Sequence, residues 1–258
     1  MLVMRPEQME VFRAAALHSF EHEMLAHLAE FSPPLFRAVG DEQMRKAIRL
    51  GMERAGTWGL TLRGPVRLYL DLMLLFGSHF DSDPQYPWAG EILAAGDAGS
   101  EMARADRLHA RTMDYRRQVA GPEDIYTLTA LRNITALARQ PLEIDWEDYG
   151  PAMRRQIALV YPRKAAYIGD AGVDALVRKG LEGARRQGFS TVRGAILVTV
   201  LMLAFGHGCG ADPLYPWIAG TLSKDTDGDP DVKARRLEKK ALTWLDQVLA
   251  HFDDGVPT

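Results

Sequence analysis

Residues 72–88 read LMLLFGSHFDSDPQYPW, and residues 201–217 read LMLAFGHGCGADPLYPW. Leu72, Met73, Leu74, Phe76 and Gly77 return as Leu201, Met202, Leu203, Phe205 and Gly206. Asp83-Pro84-x-Tyr86-Pro87-Trp88 returns as Asp212-Pro213-x-Tyr215-Pro216-Trp217. The offset is 129 residues, and the same shift aligns residues 20–121 with 149–250 without a gap. It pairs Pro33 with Pro162, Gly40-Asp41 with Gly169-Asp170, and Gly51, Glu53, Ala55 and Gly59 with Gly180, Glu182, Ala184 and Gly188. Register kept over that span marks an internal duplication.

Each copy reads as a run of about five helices, with no alternating β pattern. Proline ends the first helix at Pro33 and Pro162. Asp41 and Asp170 are read as N-caps of the next, which stops at Gly59 and Gly188. The hydroxyls of Thr61 and Ser190 are expected to open the third and most apolar helix, which ends at Gly77 and Gly206. Pro87 and Pro216 fit the first position of a short fourth helix. A charged amphipathic helix closes each copy, with Leu108, Met113, Tyr115 and Val119 matching Leu237, Leu242, Trp244 and Val248 in one apolar stripe. A helix over 123–139 connects the copies. The expected fold is therefore all-α: repeat one over 1–121, a connecting helix over 122–148, and repeat two over 149–258. No Ser/Gly-rich linker separates the repeats, so they are expected to pack on one another in a pseudo-twofold relation.

The 258 residues carry 31 basic and 34 acidic side chains, a net charge of −3, which gives no long-range pull toward a nucleic-acid backbone. Cys209 is the only cysteine, so no internal disulfide forms, and a reducing cytoplasmic setting is the natural expectation. The first dozen residues do not look like a signal peptide. The apolar runs 68–76 and 195–205 fall far short of the roughly 20 residues a bilayer span requires.

The repeated Asp-Pro-x-Tyr-Pro-Trp turn is the most conspicuous chemical feature. Its prolines stiffen a connection, its aspartate suits nearby backbone N–H groups, and its aromatics suit the end of a bundle. Asp83, Tyr86, Trp88, Asp212, Tyr215 and Trp217 are also the candidate binding residues. His79, Asp81 and Asp83 have metal-ligand character. In the second copy, however, His79 and Asp81 become Gly208 and Gly210, so a metal there would belong to the first copy only. His18 and His22, four residues apart, share a helix face as helical zinc ligands do, but no third ligand is marked. Glu23 and His27 have the spacing of an ordinary helix pair. Cys209 lacks the flanking glycines of a nucleophile elbow. The run from Asp225 to Asp231 departs from a calcium loop in its glycine position and its twelfth residue, and reads as a polar turn with Asp229 as a cap. No phosphate loop or dinucleotide fingerprint is present, and no cofactor is implied.

Three segments, Arg5-Pro6-Glu7-Gln8-Met9, Phe20-Glu21-x-Glu23-Met24-x-x-His27-Leu28 and Phe76-Gly77-x-x-Phe80-Asp81-x-Asp83-Pro84-x-x-Pro87-Trp88, carry a family likeness. In them the first half resembles bacterial proteins of type VI secretion and polymorphic-toxin gene neighbourhoods. The second copy replaces the middle signature with Tyr149-Gly150-x-Ala152-Met153-x-x-Gln156-Ile157. The resemblance implies an accessory role and brings no catalytic residues with it. The expectation is a non-enzymatic interaction module whose partner is another protein, an effector, toxin or secretion component. The similar halves also offer a route to self-assembly. The alternative is a metal-binding protein or metal-dependent enzyme built on His18/His22 or His79/Asp81/Asp83.

Overall fold

The computed structural model describes residues 5–95, 100–140, 144–223 and 229–254, and among these it is helical with no strand. Six helices precede the connection: α1 (Pro6–Phe31), α2 (Pro33–Val39), α3 (Asp41–Thr57), α4 (Arg63–Phe76), α5 (Pro87–Ala94) and α6 (Glu101–Tyr115). Then come α7 (Ile125–Ala138), α8 (Tyr149–Val160), α9 (Pro162–Arg186), α10 (Val192–Phe205), α11 (Pro216–Leu222) and α12 (Pro230–Asp254). No helix of the described residues is long and apolar enough to cross a membrane.

The punctuation read from the sequence is largely where helices begin and end. Pro33, Pro87, Pro162 and Pro216 each open a helix, where the missing N–H costs nothing. The backbone before them repeats as well: Tyr86 and Tyr215 have φ −133° and −127°, with ψ 54° and 58°. Gly40 separates α2 from α3 at φ 79°, ψ 159°, and Gly169 breaks α9 at φ 68°, ψ 173°. The short α2 was not expected; Pro33-Pro34 stops α1 and at once seeds a further turn.

Three local expectations are corrected. Asp41 is the first residue of α3, and Gly40 holds the cap position. An acidic group there still favours the positive end of the helix dipole. Thr61 does not cap α4 through its own hydroxyl; Glu101 reaches across from α6 and accepts from Thr61 N, Leu62 N and Thr61 Oγ1 at 2.6–2.8 Å. In the second half Thr191, rather than Ser190, caps α10, its hydroxyl accepting from Gly194 N at 3.3 Å. Met113 is exposed, because five residues past Leu108 lies about 140° round the helix.

The core runs through both halves without a gap. Its centre is α4 and α10, which bury Tyr69, Leu70, Leu72 and Met73 on one side and Ala195, Leu201, Met202 and Phe205 on the other. α9 lies against α10 closely enough that a Cβ on Gly180 would sit 2.0 Å from Thr199 Oγ1.

Candidate functional site

The loops that follow α4 and α10 meet at the middle of the molecule. Each leaves its helix at a glycine with positive φ, Gly77 at 91° and Gly206 at 87°. The two chains touch there: a Cβ on Gly77 would lie 2.5 Å from the Phe205 carbonyl oxygen, and one on Gly206 would lie 2.7 Å from that of Phe76. Only glycine tolerates both the conformation and the approach.

Each loop then hands an aspartate to the other. Asp83 Oδ2 accepts from the backbone N–H of His207 at 2.7 Å, while Asp212 Oδ2 accepts from that of Ser78 at 2.8 Å. Ser78 and His207 occupy matching positions, as do the two aspartates, so the exchange is reciprocal. Asp212 Oδ1 also takes the Ser78 hydroxyl at 2.6 Å and Leu214 N at 2.9 Å. Asp83 takes Gln85 N at 2.9 Å and Gln85 Nε2 at 3.2 Å. Both carboxylates are buried, and their acceptor capacity goes to backbone N–H groups and side chains of the two loops.

The aromatic residues of the turn stack behind this seam in two similar sets. Phe76 packs on Tyr86 at 4.5 Å, Tyr115 at 5.2 Å and Trp88 at 6.0 Å. Phe205 packs on Tyr215 at 4.7 Å, Trp244 at 4.7 Å and Trp217 at 5.9 Å. Of the six candidate binding residues, five are buried and Trp217 is half-buried. Asp83 and Asp212 reach across the seam, while each pair of aromatics packs with the rings of its own half.

The metal candidates do not converge. His18 and His22 lie exposed on α1. Among the described residues, no three His, Cys, Asp or Glu side chains are placed to hold an ion. Asp81 is engaged by Arg54, by Trp58 Nε1 at 2.7 Å and by Tyr69 Oη at 2.8 Å. Burial works against its charge, but the bonds from Trp58, Arg54 and Tyr69 outweigh it and hold its pKa below the usual value. His79 faces His207 across the seam, ring centres 5.9 Å apart, and burial followed by the Arg54 charge lowers its pKa. Cys209 is buried, and burial with the nearby Asp212 and Asp83 charges pushes its thiol far up, away from thiolate chemistry. Asp225, Asp227 and Gly228 lie outside the described residues; Asp229 accepts from Asp231 N at 2.9 Å as α12 begins.

No protein-family model, curated protein or solved structure matches the chain.

Two polar groupings were not found by sequence reasoning. His27 bonds Asp71 at 2.6 Å rather than Glu23, with Arg67 Nε at 3.3 Å, while Glu23 pairs with Arg63. Lys164 is the second. It is 4% exposed, and its Nζ donates to the Leu203 carbonyl at 3.1 Å and to Tyr86 Oη at 3.3 Å. Nζ also lies 5.3 Å from the centre of the Tyr86 ring and 5.7 Å from that of Tyr161. Burial lowers its pKa from 10.5 to about 8, the Asp83 charge opposing only in part.

The sign of the linkage follows from that depression. Between pH 8 and 10.5 the unfolded chain binds the proton that the folded chain has released, so the Lys164 contribution grows more favourable as pH rises. Below pH 8 the buried charge is a constant burden. Lys164→Met is expected to raise stability at pH 7 by about 1–2 kcal/mol, after loss of the bond to Leu203. The gap between variant and parent should narrow toward pH 9.5 in urea titrations. A variant less stable than the parent at pH 7 contradicts this.

Proposed function

We propose that the chain is a non-enzymatic interaction module. In this reading two diverged helical repeats, over 1–121 and 149–258, are related by a pseudo-twofold axis through the Gly77–Gly206 seam and joined by the segment 122–148. The reciprocal Asp83 and Asp212 bonds and the matched aromatic sets support that arrangement. The Asp83 and Asp212 carboxylates at the centre are spent on joining the halves, while His79 Nδ1, Gln85 Oε1, Trp88 Nε1 and Trp217 Nε1 are buried there without a hydrogen-bond partner.

The observation that carries the reading is the N-terminal part of α1. Before Phe20 the helix runs past the core and exposes Val11 at 69%, Phe12 at 64% and Leu17 at 57%. A helical stretch of that length is marginal by itself in water, and its large apolar side chains project about 100–140° from one another around the axis, so this end of the helix suits enclosure by a partner rather than contact along one stripe. His18 and His22 border it with polar, hydrogen-bonding groups. The partner we propose is another bacterial cytoplasmic protein, a secreted effector, toxin or secretion component, toward which this chain acts as adaptor, chaperone or immunity-type accessory.

The test is affinity capture from the native host with the parent and with Phe12→Asp/Leu17→Asp. The expected result is one dominant partner with the parent and its loss with the variant. Unfolding midpoints should differ by less than about 1 kcal/mol, as for surface positions generally. Equal capture by both proteins, or no partner together with turnover of a small molecule, would overturn the proposal.

A further inference from the structure

The second half contains a cavity of about 380 Å³ between α7, α8, α10 and α12. Its walls include Leu137, Ile157, Ile196, Leu197 and Val200, and its mouth carries Gln156, Arg193 and Glu238. The first half has different chemistry at the matching place. A shift of 129 residues carries Gln156, Ile196 and Val200 onto His27, Arg67 and Asp71. Those three form the bonded polar group described above. Where one half fills the position with a hydrogen-bonded polar cluster, the other places two aliphatic side chains and one amide.

We infer that this cavity is a binding site for a neutral, mainly apolar small molecule with one hydrogen-bonding head group. The size fits such a ligand: it lies in the range of small-molecule sites, roughly 300–1,000 Å³. It is more than twice the ~150 Å³ that accommodates a benzene ring. Its walls come from α7, α8 and α10 with Glu238 of α12 at the rim, and the half-buried Leu137, Ile196, Leu197 and Val200 leave an open side through which a ligand can enter. Charge decides the head group. Arg193 at the mouth is already paired with Glu238, and Arg139 beside it with Asp246 at 3.3 Å. A charged ligand would meet no free counter-charge and would lose its hydration uncompensated. The Gln156 side chain makes no hydrogen bond within the described residues and offers both a donor and an acceptor to a hydroxyl or amide.

The inference is independent of the α1 surface. It is tested with N-phenyl-1-naphthylamine, a neutral fluorescent probe, titrated into the full chain and competed with dodecanol and with dodecanoate. The expected result is saturable one-to-one binding, displaced by the alcohol at least about tenfold more effectively than by the carboxylate. Leu197→Phe, which fills the cavity without adding charge, should weaken the probe by about tenfold or more. Gln156→His/Ile196→Arg/Val200→Asp, which installs the polar set of the first half, should abolish binding with the helical circular dichroism retained. Leu197→Phe alone decides the matter should the triple variant not fold. Unsaturable binding, binding unaffected by Leu197→Phe, or equal displacement by dodecanoate overturns the assignment. So does a concentration-dependent mass that Leu197→Phe abolishes, which would make a second copy the occupant.

Discussion

Gly77→Ala is expected to unfold the protein or to cost it more than about 4 kcal/mol. The position has φ 91° and ψ 154°, a region essentially reserved for glycine, where a side chain adds about 1–3 kcal/mol of strain. The new Cβ would also stand 2.5 Å from the Phe205 carbonyl oxygen, which is backbone and has no rotamer to escape into. Relief requires the two loops to part, and that breaks the bonds from Ser78 and His207 to the opposite aspartates. Against a total stability of some 5–15 kcal/mol, such a loss is close to decisive. Urea midpoints of parent and variant measure it. A difference below about 1 kcal/mol would mean that the loops can separate freely.

Asp212→Ala is expected to cost about 3–5 kcal/mol. It removes no apolar packing of consequence but strands three buried donors: Ser78 N, Ser78 Oγ and Leu214 N. Each buried donor left without an acceptor costs about 1–3 kcal/mol, part of which local relaxation and water recover. Asp83→Ala should behave similarly, because it deserts His207 N, Gln85 N and Gln85 Nε2. The double variant should lose less than the sum, since the first substitution already loosens the seam that the second acts on. Strict additivity would show that the two carboxylates act separately.

The matching stretches 72–88 and 201–217 made much of this legible in advance. Prolines that open helices, glycines that end them and the apolar runs of α4 and α10 act locally, so their effect is visible in the residues themselves. The preservation of Asp83 and Asp212 was visible too. That each serves the other half was not, because the partners are 124 and 134 residues away. Lys164 gave no signal at all. Its counterpart in the first half is Leu35, and a lysine after Pro162-Arg163 reads as a solvated charge until α9 is seen to turn it inward. His27 looked like a partner of Glu23 because helix spacing is read before tertiary contact; α4 brings Asp71 nearer. The cavity was present in the alignment only as three changes, Gln156, Ile196 and Val200. Their common location became apparent once α8 and α10 were seen to line the same pocket.

In the proposed arrangement the reciprocal Asp83 and Asp212 bonds join residues 20–121 and 149–250 into one cooperative body. Urea unfolding, followed by amide exchange resolved to residues 20–121 and 149–250, tests it most directly. The expected result is a single transition with one midpoint for both halves, displaced equally in both by Asp212→Ala. Separate midpoints, or a shift confined to the half that carries the substitution, would contradict it.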